Sequence, residues 1–191
     1  MGAEANGSIP WPERRTSFLR TGRVSLPGES YFVTAVTKDR VPVFSDPVIA
    51  QTLCDVLLRM DADGDLRLLA ATVMPDHVHL LFELGDRLSV GRVCGKFKTL
   101  GRSQGRANWH WQQHQFEHRL RPNESRESYG LYVFLNAYRA RLIDLEARWP
   151  WWMCPRPEGF RFVQTLRAGG TPQPEWLGQC ERLAQELHVG E

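Results

Sequence analysis

The sequence lacks any apolar run long enough to cross a bilayer, and Met1 to Pro12 has neither the basic start nor the apolar stretch of a secretory signal. These absences predict a cytoplasmic protein with no membrane partner. Cysteine is scarce: Cys54, Cys94, Cys154 and Cys180 are scattered with no C-x-x-C spacing. That argues against a zinc knuckle or a disulfide framework and predicts reduced thiols filling a core. A dominant charge is also missing, since 24 basic and 22 acidic residues leave a net +2. With 191 residues, 42% hydrophobic and 24% charged, the chain suits one globular domain with tails.

The overall balance conceals a local excess. From Arg87 to Arg126 the basic residues Arg87, Arg92, Lys96, Lys98, Arg102, Arg106, Arg119, Arg121 and Arg126 stand against only Glu117 and Glu124, with Trp109, Trp111 and Phe116 interleaved. Cations contact phosphates and aromatic rings stack on bases, so this mixture suits a surface for single-stranded or hairpin nucleic acid. A solvated basic helix followed by a loop of inward-packed tryptophans reads the same way. A second signal is Ala70-Ala71-Thr72-Val73-Met74-Pro75-Asp76-His77-Val78-His79-Leu80-Leu81. Strand side chains alternate, so His77 and His79 share one face while Val78 and Leu80 enter the core. Paired imidazoles on one face are half of a divalent-metal site, or two half-exposed histidines on an edge.

Periodicity orders the rest of the chain. Ser30 to Thr37 is β-branched and aromatic and reads as a strand. Asp46 caps and Pro47 opens a helix with Val48, Ile49, Leu53, Val56, Leu57 and Met60 at helical spacing. Strands follow over Leu66 to Val73 and His77 to Leu84, then a helix from about Ser89 to Gly101 and a short strand around Phe116 to Leu120. In the long helix after Asn123, Leu131, Phe134, Leu135, Tyr138, Leu142 and Leu145 form the expected buried stripe. Tyr132 and Asn136 lie beside it, one turn apart on one face, where both can address one small site. An amphipathic helix with a border tyrosine and an ordinary polar asparagine fits the same spacing.

Together these residues resemble a family. A Met-Pro-Asp-His-Val-His-Leu-Leu strand, a basic helix, Trp111-Gln112 leading to Phe116-Glu117-His118-Arg119, and Tyr132-Val133-Phe134-Leu135-Asn136 are similar to the single-tyrosine HUH transposases, the REP-associated tyrosine transposases above all. The resemblance covers about Phe18 to Trp152, leaving residues 1–17 as an N-terminal tail and 153–191 as an extension without an assigned role. It implies an α+β ferredoxin-like sandwich, an antiparallel sheet with helices on one face. It further implies that His77, His79 and Asn136 bind Mg²⁺, with Mn²⁺ better suited to the imidazoles. Tyr132 matches the nucleophile that forms a 5′-phosphotyrosyl intermediate on single-stranded or hairpin DNA.

Lys96, Lys98, Arg102, Arg119 and Arg121 are the expected DNA contacts, and relatives of this kind act as monomers or homodimers. Two other classes compete. A histidine-triad nucleotide hydrolase needs a third histidine where Leu81 stands, and a domesticated DNA-binding protein would keep the fold and the basic residues without catalysis.

Overall fold

The computed structural model describes residues 25–103 and 109–189. The expected tail over residues 1–17 and Arg106 of the basic segment lie outside them. The chain runs β1 (Ser30–Val36), α1 (Pro47–Ala62), β2 (Leu66–Val73), β3 (His77–Leu84), α2 (Val90–Ser103) and β4 (Phe116–Arg119). The strands order as β4-β1-β3-β2, all pairings antiparallel, and β5 (Trp152–Met153) adds to the β2 edge. This βαββαβ order with β1 and β3 in the centre is the ferredoxin-like α+β arrangement.

Local chemistry sets these elements. Asp46 Oδ1 accepts from the Val48 amide at 2.8 Å and Pro47 takes the first helical position, so α1 starts where the sequence places it. Tyr31, Val33, Ala35, Val78, Leu80 and Phe82 form one sheet face and pack with α1 and α2. The two helices approach closely at Gly101, where an added Cβ would fall 2.5 Å from Leu53 Cδ2. The opposite face, with Phe32 and Leu81, is equally buried.

Helices α1 and α2 share one face, as the ferredoxin-like sandwich implies, and the other face is covered as well. Central strands apolar on both sides need cover on both sides, and α3 (Arg126–Arg139) supplies the second layer. It lies between the sheet and α5 (Trp176–Glu186), which buries it nearly all round from Tyr129 to Tyr138. The expected stripe changes accordingly: Leu131 is partly buried, while Leu142 and Leu145 fall past the helix end, where Arg141 takes a φ of 55° and Leu142 is exposed. Phe160, Phe162 of α4 (Arg161–Gln164), Cys180, Leu183 and Val189 join the core under α3, so the extension is packed against it.

One irregularity shapes β2. The register with β3 shifts between Leu68 and Ala70, and Leu69 and Ala70 both turn toward α3. Asp61 Oδ1 accepts from the Leu68 amide at 2.9 Å, and Arg156 donates to the Leu68 carbonyl at 2.8 Å and to Asp61 Oδ2 at 3.0 Å. These side chains satisfy the amide and carbonyl of Leu68 at the edge of β2, where β5 pairs only with Ala71 and Thr72.

Candidate active site

Alternation and register bring the two histidines to one point. His77 and His79 turn to the α3 side of β3, and their Nε2 atoms stand 3.1 Å apart. Each Nδ1 is held from behind. His77 Nδ1 lies 2.5 Å from Asp76 Oδ1, and Asp76 Oδ2 accepts from Arg40 at 3.0 Å. His79 Nδ1 lies 3.0 Å from the hydroxyl of its cross-strand neighbour Thr34, which donates to the Val189 carbonyl at 3.0 Å.

These contacts fix the tautomers. The Thr34 hydroxyl spends its proton on Val189, so it accepts from His79, whose proton sits on Nδ1. The hydrogen bond from His77 comes first in holding the Asp76 carboxyl below its usual range, so Asp76 is an ionised acceptor and His77 donates from Nδ1. In neutral rings both Nε2 atoms then present lone pairs to each other. That is the donor set of a divalent cation, oriented by a carboxylate and a hydroxyl behind it. Burial first, then the cost of placing a second charge beside the His77 ring, holds His79 well below the ordinary imidazole range and keeps it in the neutral, coordinating form.

Tyr132 and Asn136 reach the same point from α3. The Tyr132 ring lies 5.5 Å from that of His79 at 65°, with the Arg139 guanidinium 5.7 Å above it. The Asn136 amide meets the His79 ring, and its buried Nδ2 has no hydrogen-bond partner among the described residues. Either end of an amide can be turned inward, so Asn136 can offer a hard oxygen beside the two nitrogens. Among the described residues no group of three His, Cys, Asp or Glu side chains is placed to hold a metal. A cation here therefore rests on the histidine pair and Asn136.

The other two helix tyrosines are engaged elsewhere. The Tyr129 hydroxyl accepts from the His188 amide at 3.3 Å, and burial pushes its pKa up to about 12. Tyr138 donates to the Ala147 carbonyl at 3.0 Å and accepts from the Trp149 amide at 3.4 Å. His79 and Tyr132 are both fully buried, and Val189 closes on Thr34 next to them. Leu81, at the third position of a histidine triad, is a buried core side chain. The four cysteines are free, and burial lifts Cys54 and Cys94 to about 12 and Cys154 to about 11, which removes them as nucleophiles.

The basic residues do not form one face. Lys98 donates to the Gln112 carbonyl and Gln115 Oε1, both at 3.1 Å, and Arg102 meets His110 at 3.0 Å. Arg119 is exposed on the outer strand β4, and the amide of exposed Arg121 donates to Glu124. Lys96 is on the far side of α2 from Lys98, bound to Asp65 and near Asp63, because residues two apart on a helix point roughly 200° apart. Trp109 and Trp111 pack inward against Phe44.

Asp76 gains its role only from the structure, although its place directly before His77 is visible in the sequence. Thr34 gives no signal until strand pairing sets it beside His79. No helix among the described residues is long and apolar enough to cross a membrane.

Residues 28–130 match the family model of IS200-like transposases, more than half of the chain. A solved REP-associated tyrosine transposase bound to a REP hairpin is similar over 72% of this chain and 83% of its own, with 19% identity and a TM-score of 0.59. A candidate transposase from Deinococcus radiodurans is similar over 64% and 92% respectively, with 21% identity and a TM-score of 0.42. No curated protein matches the chain.

Proposed function

Because this chain belongs to the IS200-like transposase family, we propose that it nicks and rejoins single-stranded or hairpin DNA, with Tyr132 as nucleophile and His77, His79 and Asn136 as the ligands of Mg²⁺ or Mn²⁺. The observation that carries the reading is the convergence of two back-supported Nε2 atoms, the Asn136 amide and the Tyr132 ring at one point. The solved relative's REP hairpin supports hairpin DNA as the substrate class. When bound, the cation neutralises a non-bridging oxygen of the phosphodiester.

The rest is work for the chain's own residues. Tyr132 Oη bonds to phosphorus as the bond to the 3′-oxygen breaks, which leaves a 5′-phosphotyrosyl link and a free 3′-hydroxyl. The tyrosyl proton is given up to solvent and the leaving oxygen takes one up from it, and because one phosphodiester replaces another the exchange can reverse. Arg139, over the Tyr132 ring, offers positive charge to the same centre. Lys98, Arg102, Arg119 and Arg121 contact phosphates, and Lys96, on the other side of α2, does so less because Asp65 holds it.

Incubation with labelled hairpin oligonucleotides and Mn²⁺ should give a covalent protein–DNA adduct on a denaturing gel. Tyr132→Phe should remove the adduct and keep DNA binding. Full burial of His79 and Tyr132 favours a second reading, a DNA-binding protein without catalysis. Absence of any adduct from the parent protein, with DNA still bound, decides for it.

A further inference from the structure

Two hollows meet at His110, on the side of Asp76 away from the histidine pair. One, of ≈ 590 Å³, lies between the Lys38–Arg40 turn and the segment starting at His110, and the other, of ≈ 480 Å³, lies between that segment, Lys98 and Arg102. Their walls are built. Asp39 and Arg40 both take the left-handed backbone, at φ 57° and 52°, a conformation that side-chain-bearing residues keep only where the surroundings enforce it. The Lys38 amide donates to the His110 carbonyl at 2.8 Å, and Thr37 Oγ1 donates to the Val41 carbonyl at 2.9 Å.

The floor between the walls is rigid. Trp111 donates from Nε1 to the Lys98 carbonyl at 3.0 Å and packs on Phe44, Phe97 and Trp109. His110, the residue before it, is exposed and lines both hollows, with Arg102 at its ring edge. Lys38 and Arg40 on one side and Lys98 and Arg102 on the other outweigh Asp39, the one acid among the described lining residues. Arg40 also connects this groove to the catalytic pair, since Asp76 bonds Arg40 with one oxygen and His77 with the other.

Resting on the transposase reading, we propose that this groove is a single-strand subsite: it holds the unpaired DNA adjoining the cleaved phosphate, with one base stacked on His110 and its phosphates between the two cationic walls. Flanking cations with an exposed ring on a fixed floor select an unstacked base, because a duplex keeps its bases stacked on one another. Continuity through Arg40 and Asp76 places the strand next to the phosphate that Tyr132 attacks. His110 is thereby a positioning residue for the substrate and has no part in the chemistry.

The test compares binding of fluorescein-labelled oligo(dT) and an abasic strand of equal length to the full chain by anisotropy. The parent protein should bind oligo(dT) roughly fivefold or more tightly than the abasic strand. His110→Ala should abolish that preference and leave affinity for the abasic strand unchanged, which also reports an intact fold, and His110→Tyr should retain the preference. Equal binding of the two strands by the parent protein, or a preference that survives His110→Ala, overturns the subsite alone, provided the Tyr132 adduct still forms. A chain that binds no DNA overturns the transposase reading together with it.

Discussion

Removing Asp76 should loosen the cation without loosening the fold. Asp76 touches His77 Nδ1 at 2.5 Å and Arg40 at 3.0 Å, and it is one of two groups that orient the Nε2 pair. Loss of such a supporting carboxylate costs metal affinity about 10- to 100-fold, or about 1.4–2.8 kcal/mol. The Asp76 side chain is 19% exposed, so water can partly replace it and the expected loss is nearer the tenfold end. Asp76→Ala should therefore weaken Mn²⁺ binding about tenfold, measured by isothermal titration on the full chain. Asp76→Asn should lie between, because an amide oxygen still accepts from Nδ1 but carries no charge. Thermal unfolding monitored by circular dichroism should shift little, since the carboxylate sits at a turn rather than in the core. Parent-like Mn²⁺ affinity in Asp76→Ala, in a protein where His77→Ala abolishes binding, would show that His77 needs no orientation from behind.

Stability should fall on mild acidification. His79 has a depressed pKa in the fold, so below its unfolded value of about 6.5 the unfolded chain takes up a proton that the buried ring refuses. Melting temperature should drop between pH 7 and 5 by less in His79→Gln than in the parent, and parallel curves would contradict this. Gly130→Ala should destabilise despite better helix propensity, because its Cβ would fall 2.3 Å from Phe160 Cε1. Overpacking costs about 1–3 kcal/mol against a gain of about 1, and urea titration of Gly130→Ala with and without Phe160→Ala should show that the two changes are not additive.

The elements with strong local codes were legible from residues alone. The Asp46-Pro47 start of α1, the β-branched run of β1 and the Val-Leu alternation around His77 and His79 each name their structure through short-range chemistry. The burial of α3 on two sides was not legible, because its outer cover comes from residues 160–189, whose helical pattern is short and broken by prolines. The apolar spacing continues through Leu142 and Leu145 in the sequence, whereas the helix ends at Arg139 and the backbone turns at Arg141. Within the site, spacing of four does put Tyr132 and Asn136 together, and alternation does join the histidines. The support of His79 depends on Thr34, 45 residues from the ring it holds and 155 from the carbonyl it bonds, and no local pattern encodes such distances. Charge counting grouped Lys96 with Lys98 because linear proximity ignores which side of a helix a residue takes.

The extra residue in β2 has a reach beyond the bend it makes. Ahead of it the even-numbered Leu66 and Leu68 face α1, and past it the odd-numbered Ala71 and Val73 do. The bulge is a phase shift in the sheet, and Thr72 is what it delivers: a hydroxyl on the α3 side, directly opposite His79, in a row that reads Thr34, His79, Thr72 across three strands. In a strand of unbroken parity, Ala71 and Val73 would line the histidine pair and Thr72 would be buried under α1. The polarity of the wall beside His79 is thus written in a residue count rather than in residue types. A single insertion between Ala70 and Met74 would exchange that wall's threonine for its apolar neighbours without altering any residue that the chemistry uses.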